Sequence, residues 1–166
     1  MVAFTMQVPV AKTQMVIRRP VGEVFDAFVD PAITTRFWIS RSTGKLAPGQ
    51  TVRWDWDLYG VATNVEVKEI ERNRRILIEW NGPDNASSVE WKFETTTKDS
   101  TMVVIRNWGF RGDADKVLAD AIDSTAGFSF VLAGLKAFFE RHIDLNLVRD
   151  YDPAAHVEAA ASRRTG

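Results

Sequence analysis

Residues 102–142 read MVVIRNWGFRGDADKVLADAIDSTAGFSFVLAGLKAFFERH, and inside this stretch the apolar spacing changes from two to helical. After Gly112, residues Val117, Ala121, Phe128, Val131, Leu132, Leu135, Phe138, Phe139 and His142 fall near one helical face. A helix over residues 115–144 follows, roughly 45 Å long at 1.5 Å per residue. Gly127 and Gly134 interrupt it, each at a cost of about 1 kcal/mol relative to alanine. They point to close approach of the helix to a neighbour, and Ser124-Thr125 is the place for a break.

Before Gly112 the period is two as far back as Gly44. Val52, Trp54, Trp56 and Leu58 alternate with Arg53, Asp55 and Asp57. Val61, Thr63, Val65 and Val67 alternate with polar partners until the phase slips near Glu69-Ile70, the mark of a bulge. Ile76, Ile78 and Trp80 form the next stripe after the turn at Arg72-Asn73-Arg74, and Val89, Trp91 and Phe93 follow the turn cluster Asn81–Asn85. After Lys98-Asp99-Ser100 comes a last strand, Met102 to Phe110, apolar on both faces at its start. If Val103 and Ile105 point inward, Asn107 does too. Short turns between alternating strands give an antiparallel meander with one polar face.

At the other end, residues 1–12 alternate weakly, with Phe4, Met6, Val8 and Val10 in phase. A firmer strand runs over 13–19. Pro20 ends it and suits the first position of a helix carrying Val21, Val24, Phe25 and Phe28. Asp30-Pro31 repeats that signal before Ile33 and Phe37, with Asp30 as cap. Strand, two short helices, about six further antiparallel strands and one long helix is an α+β plan. A single domain over residues 1–150 is expected, with residues 151–166 as a small, polar, flexible tail.

Composition narrows the chemistry. The 166 residues are 45% hydrophobic and 26% charged, with 21 basic and 22 acidic side chains and a net charge of −1. That balance provides no broad positive field for nucleic acid or anionic membrane. There is no cysteine, which removes disulfides, thiolate nucleophiles and Cys-based metal sites. His142 and His156 are the only histidines, too few for a histidine-rich metal site. No continuous apolar run reaches the ~20 residues of a membrane span, and no secretory leader is visible, so a cytoplasmic location is expected.

The stretch MVIRRPVGEVFDAFVDPAITTRFW (15–38) resembles the opening of activator-of-Hsp90-ATPase-like proteins: strand, Arg-x-Pro, Val-Phe-x-Ala, Asp-Pro, Phe-Trp. GQTVRWDWDLYGVATNVEVKEIERNRRILIEW (49–80) is similar to that family's middle strands, and GFSFVLAGLKAFFERHIDLN (127–146) to its C-terminal helix. The likeness spans about residues 13–148. It implies the START/Bet v 1-like (SRPBCC) superfamily and its helix-grip fold, a curved sheet of about seven strands around one long helix. The family supplies no shared catalytic motif to place on numbered residues.

A twisted sheet wrapped on one helix leaves a concave apolar space between them, the usual setting of a small-molecule site. Six tryptophans and ten phenylalanines supply its walls. The candidate lining is Trp38, Trp54, Trp56, Val65, Val67, Trp80, Trp91, Phe93, Val103, Ile105, Phe128, Leu132 and Leu135, with Asn107 as the polar group that orients a ligand. Trp38 is expected at the rim and residues 37–42 as a lid. Phe128, Leu132 and Leu135 are expected to face Trp54, Trp56 and Trp91. Filling of the same space by the indoles as plain core is the competing outcome.

Nothing in the sequence forms a nucleophile–base pair. Asp55 with Asp57, and Glu90 with Glu94, are spaced like paired acids but belong to the polar face and read as solvated. The sequence holds no phosphate-binding glycine loop, and Arg18-Arg19, Arg72-Arg74-Arg75 and Arg163-Arg164 are small solvated clusters. No metal, cofactor or nucleic acid is therefore expected. Three function classes remain: a binder of a small apolar or aromatic molecule, a chaperone-regulating or other protein-partner module (a homodimer included), and a polyketide cyclase- or hydrolase-like enzyme. The last needs an ionisable group pointing into the cavity.

Overall fold

A computed structural model describes residues 7–157. The expected strand phase of Phe4 and Met6, and the cluster Arg163-Arg164, lie outside the described residues. β1 (Ala11–Ile17) leads into α1 (Val21–Val29) and α2 (Pro31–Thr34). Pro20 stands just before α1 as its N-cap rather than at the first helical position, with no side-chain cap bond. Asp30 caps α2: its carboxylate accepts from the Ala32 amide at 3.0 Å and pairs with Lys45 at 2.8 Å, and Pro31 opens the helix. These contacts, the Lys45 hydrogen bond first, hold the Asp30 pKa below its ordinary value.

The meander follows as β2 (Arg41–Ser42), β3 (Thr51–Trp56), β4 (Val61–Glu71), β5 (Arg75–Trp80), β6 (Ser87–Thr97) and β7 (Ser100–Trp108). The seven strands lie in the order β1-β7-β6-β5-β4-β3-β2, and every pair is antiparallel. The phase slip near Glu69 is a register shift between Val67 and Glu69 in the β4–β5 ladder. β7 points Val103, Ile105 and Asn107 inward. The two-residue β2 carries no periodicity of its own and has no counterpart in the sequence reading.

α3 (Ala114–Arg141) is capped by Asp113, whose side chain accepts from the Lys116 amide, and it ends at His142 in a left-handed conformation with φ 56°. It runs unbroken through Ser124-Thr125. The Thr125 hydroxyl bonds back to the Ala121 carbonyl at 2.7 Å, so the polar pair is absorbed without a kink. By length and composition α3 could cross a membrane; its stripe Phe128, Val131, Leu132 and Leu135 is instead buried on the sheet. Gly134 serves the expected close approach, since a Cβ there would meet the Phe37 carbonyl oxygen at 3.5 Å. Gly127 does not: a Cβ there would have open space. Lys136 and Glu140 tie α3 to the end of β1, Lys136 donating to the Val16 carbonyl and Glu140 accepting from the Arg18 amide.

The core joins the inward faces of β1 and β3–β7 to α1 and α3. Phe25 meets Phe93 edge-on at 5.3 Å and Phe28 meets Trp91 at 5.8 Å, so α1 fills one end of the concave face. Glu90 is a correction: it is only 6% exposed, on an ion pair with Arg75 at 2.7 Å, where solvation was expected. Alternation placed it on the outer face but said nothing of the neighbours that cover it there.

Candidate functional site

The unfilled end of the concave face holds a cavity of about 370 Å³. Trp80, Ser87 and Asn107 form its sheet wall, and Ser124, Gly127 and Phe128 its helix wall. The third wall comes from beyond α3: Leu147, Val148 and Tyr151 of α4 (Leu147–Tyr151). Gly127 thus leaves room for the cavity. A smaller cavity of about 150 Å³ lies beside it, and Trp38, Tyr59, Leu147 and Val148 line both.

The residues expected at the site are divided by the structure. Trp38, Trp80, Asn107 and Phe128 line the larger cavity, and Trp56 lines the smaller one. Trp54, Val65, Val67, Trp91, Phe93, Val103, Ile105, Leu132 and Leu135 are buried in the core outside either lining. Trp38 is 9% exposed and stands inside the molecule rather than at a rim. Its ring lies 5.0 Å from Trp54, 6.2 Å from Trp80 and 5.8 Å from Phe128. It therefore stands among the rings expected to meet one another directly: Phe128 stacks on Trp80 at 5.8 Å and meets Trp91 at 6.0 Å, while Trp54 has Trp38 and Trp56 as aromatic neighbours.

One polar chain crosses the cavity wall. The Asn107 amide nitrogen donates to Ser87 Oγ at 3.0 Å and to the Ser88 carbonyl at 2.8 Å. Because that carbonyl can only accept, the amide's orientation is fixed, and its oxygen accepts from Ser124 Oγ at 2.8 Å. The Trp80 indole N–H also donates to Ser87 Oγ, at 3.1 Å. Ser87 and Asn107 are buried, at 6% and 2% exposure. The sequence carried a signal for Ser87, which shares the inward phase of Val89, Trp91 and Phe93. Tyr59, Leu147, Val148 and Tyr151 gave none, since their role depends on where the chain returns after α3.

That return is held by side chains of the wall itself. The Tyr59 hydroxyl donates to the Val148 carbonyl, and its ring stands edge-on to His156 at 5.1 Å. His156 Nε2 is 2.8 Å from the Arg149 carbonyl, so that nitrogen carries the proton. Tyr151 donates to Asp123 at 3.2 Å. The Asp123 charge, and then this hydrogen bond, raise the Tyr151 pKa above the ordinary phenol value. Asp120 and Asp123 are the acids on the lining, and each has a partner, Lys116 and Tyr151. Among the described residues no group of three or more His, Asp or Glu could hold a metal ion.

Several solved structures share this architecture. Protein SSP2350 from Staphylococcus saprophyticus is 24% identical with a TM-score of 0.70, over 82% of this chain and 95% of its own. The Aha1 dimer from Colwellia psychrerythraea is 15% identical with a TM-score of 0.68, over 80% of this chain and 96% of its own. CalU16 from Micromonospora echinospora is 20% identical with a TM-score of 0.64, over 90% of this chain and 85% of its own. At these identities the likeness shows the fold. No curated protein matches the chain in sequence. The family model described as "Activator of Hsp90 ATPase homolog 1-like protein" matches residues 18–140, from the end of β1 to the last turn of α3, and the chain belongs to that family.

Proposed function

We propose that this domain binds, without chemical change, a small apolar or aromatic molecule in the larger cavity. The observation that carries the reading is a space of about 370 Å³ walled by Trp38, Trp80 and Phe128, with its buried polar groups gathered at Ser87 and Asn107. The acids on its wall already have partners, and neither is placed like a buried general acid or base. The test is native mass spectrometry of freshly purified protein, followed by a screen of neutral aromatic compounds read by tryptophan fluorescence and melting temperature. A ligand at a hundredfold excess over its Kd adds about 2.7 kcal/mol of stability, or about 5–11 °C for a domain of this size. A screen in which nothing moves either signal sinks the reading. The dimeric Aha1 relative favours a second reading, self-association, which sedimentation across a concentration series decides.

A further inference from the structure

We infer that the ligand of this cavity carries a neutral hydrogen-bond acceptor oxygen, a ketone or quinone carbonyl above all, seated on the hydroxyl of Ser87; this rests on the binding role proposed above. The argument is a donor count. A serine hydroxyl has one proton to give and two lone pairs to receive. Both hydrogen-bond partners of Ser87 Oγ are donors without acceptor capacity: the Trp80 indole N–H and the Asn107 amide nitrogen. Neither can be reversed, because indole nitrogen only donates and the Ser88 carbonyl pins the amide. Ser87 Oγ therefore accepts twice, and its own proton has no acceptor among the described residues. The side chain is 6% exposed and borders the cavity, which is where that proton can be satisfied.

The other hydroxyl of the polar chain does not compete. The Ser124 hydroxyl is already spent on Asn107 Oδ1. Among the described residues the lining contains Asp120 and Asp123 but no lysine, arginine or histidine, so a carboxylate or phosphate on the ligand would meet like charge there. A neutral carbonyl satisfies the free proton at no such cost, and its flat apolar remainder lies against Trp80 and Phe128.

The test uses three rigid probes of one shape: 9-fluorenone, fluorene and fluorene-9-carboxylate, titrated against the whole chain by tryptophan quenching. Fluorene leaves the Ser87 proton unpaired, so fluorenone is expected to bind at least about fivefold more tightly, with the carboxylate weaker than fluorenone. The carbonyl stretch of bound fluorenone should fall below its position in hydrocarbon solvent, a readout that needs no variant. Ser87→Ala should erase the fluorenone preference, and Thr95→Ala, at an exposed position of the same strand outside the lining, should keep it. Equal affinity for fluorenone and fluorene, an unshifted carbonyl band, or a preference that survives Ser87→Ala overturns the inference while leaving the binding role standing. Failure of all three probes to bind overturns both.

Discussion

Replacing Trp38 by alanine removes the ring around which the aromatic cluster is built. That ring lies 5.0 Å from Trp54, 6.1 Å from Trp56, 6.2 Å from Trp80, 6.1 Å from Trp91 and 5.8 Å from Phe128. It is 9% exposed, so nearly all of its surface is removed from water on folding. Burial of about 150–250 Å² by such a side chain is worth roughly 4–6 kcal/mol at 25 cal/mol per Å², an upper bound because the denatured chain is already partly collapsed. Truncations of buried tryptophan cost about 3–5 kcal/mol. Relaxation into the vacated space is limited here, because the space adjoins two cavities and their walls have nothing to close against. The midpoint of a circular-dichroism melt should therefore fall by about 6–20 °C. Trp38→Phe should fall less, since it keeps part of the edge-on contact with Trp54. A Trp38→Ala midpoint within about 2 °C of wild type would refute the reasoning, for it would mean that the rings around Trp38 hold one another without it.

Leu135→Asp places an unpaired carboxylate at a position 0% exposed and should abolish the cooperative melt; a soluble variant of unchanged midpoint would show that another face of α3 is buried. Burial alone would raise the Glu140 pKa, but hydrogen bonds from Lys136 and the Arg18 amide, with their charges, bring it below the ordinary value. The stabilisation is therefore present above the ordinary glutamate pKa and is lost as pH falls through the lowered one. In Glu140→Gln the deficit in melting temperature against wild type should be constant near neutrality and shrink below about pH 4, and a deficit independent of pH would count against this. Gly60→Ala forces a side chain into the left-handed region at φ 61° and within 2.7 Å of Val157 Cγ1. A loss of about 1–2 kcal/mol is expected, with faster amide exchange over residues 147–157, and unchanged exchange there would sink the link.

Much of the scaffold was legible because each signal is local. The change of period at Gly112, the Asp30-Pro31 start and the phase slip at Glu69 each depend on residues within one turn or one strand pair. The inward phase of β7 was legible only conditionally, through Asn107, since Met102 to Ile105 is apolar on both faces. The site was less legible because it is made of distances between elements. Trp38 looks like a loop residue after α2, and only the path of residues 39–50 shows that the ring turns inward. Alternation named every indole on the concave face but could not say that α1 fills the space above Trp91 and Phe93 while the space beside Trp80 stays open. Beyond Asp152-Pro153 the chain carries no apolar stripe, and the place of residues 147–151 on the cavity comes from Tyr59 and Asp123, far away in sequence.

Within the sheet, β1 comes first in the chain, yet its partner comes last: Ala11 pairs with Asn107 and Ile17 with Thr101. Every other ladder joins strands that are neighbours in the chain. During synthesis the hairpins from β2 to β7 can therefore zip in sequence while β1 waits without a partner, and the surface of β7 that it will cover stays open until then. Closing so long a loop makes this the slow, topology-limited step of assembly. It also makes the unpaired edge of β7 the place where a second chain could dock in error. α3 emerges just after β7 and rests on β1 through Lys136 and Glu140, so the helix that walls the cavity also locks the late-joining strand in place.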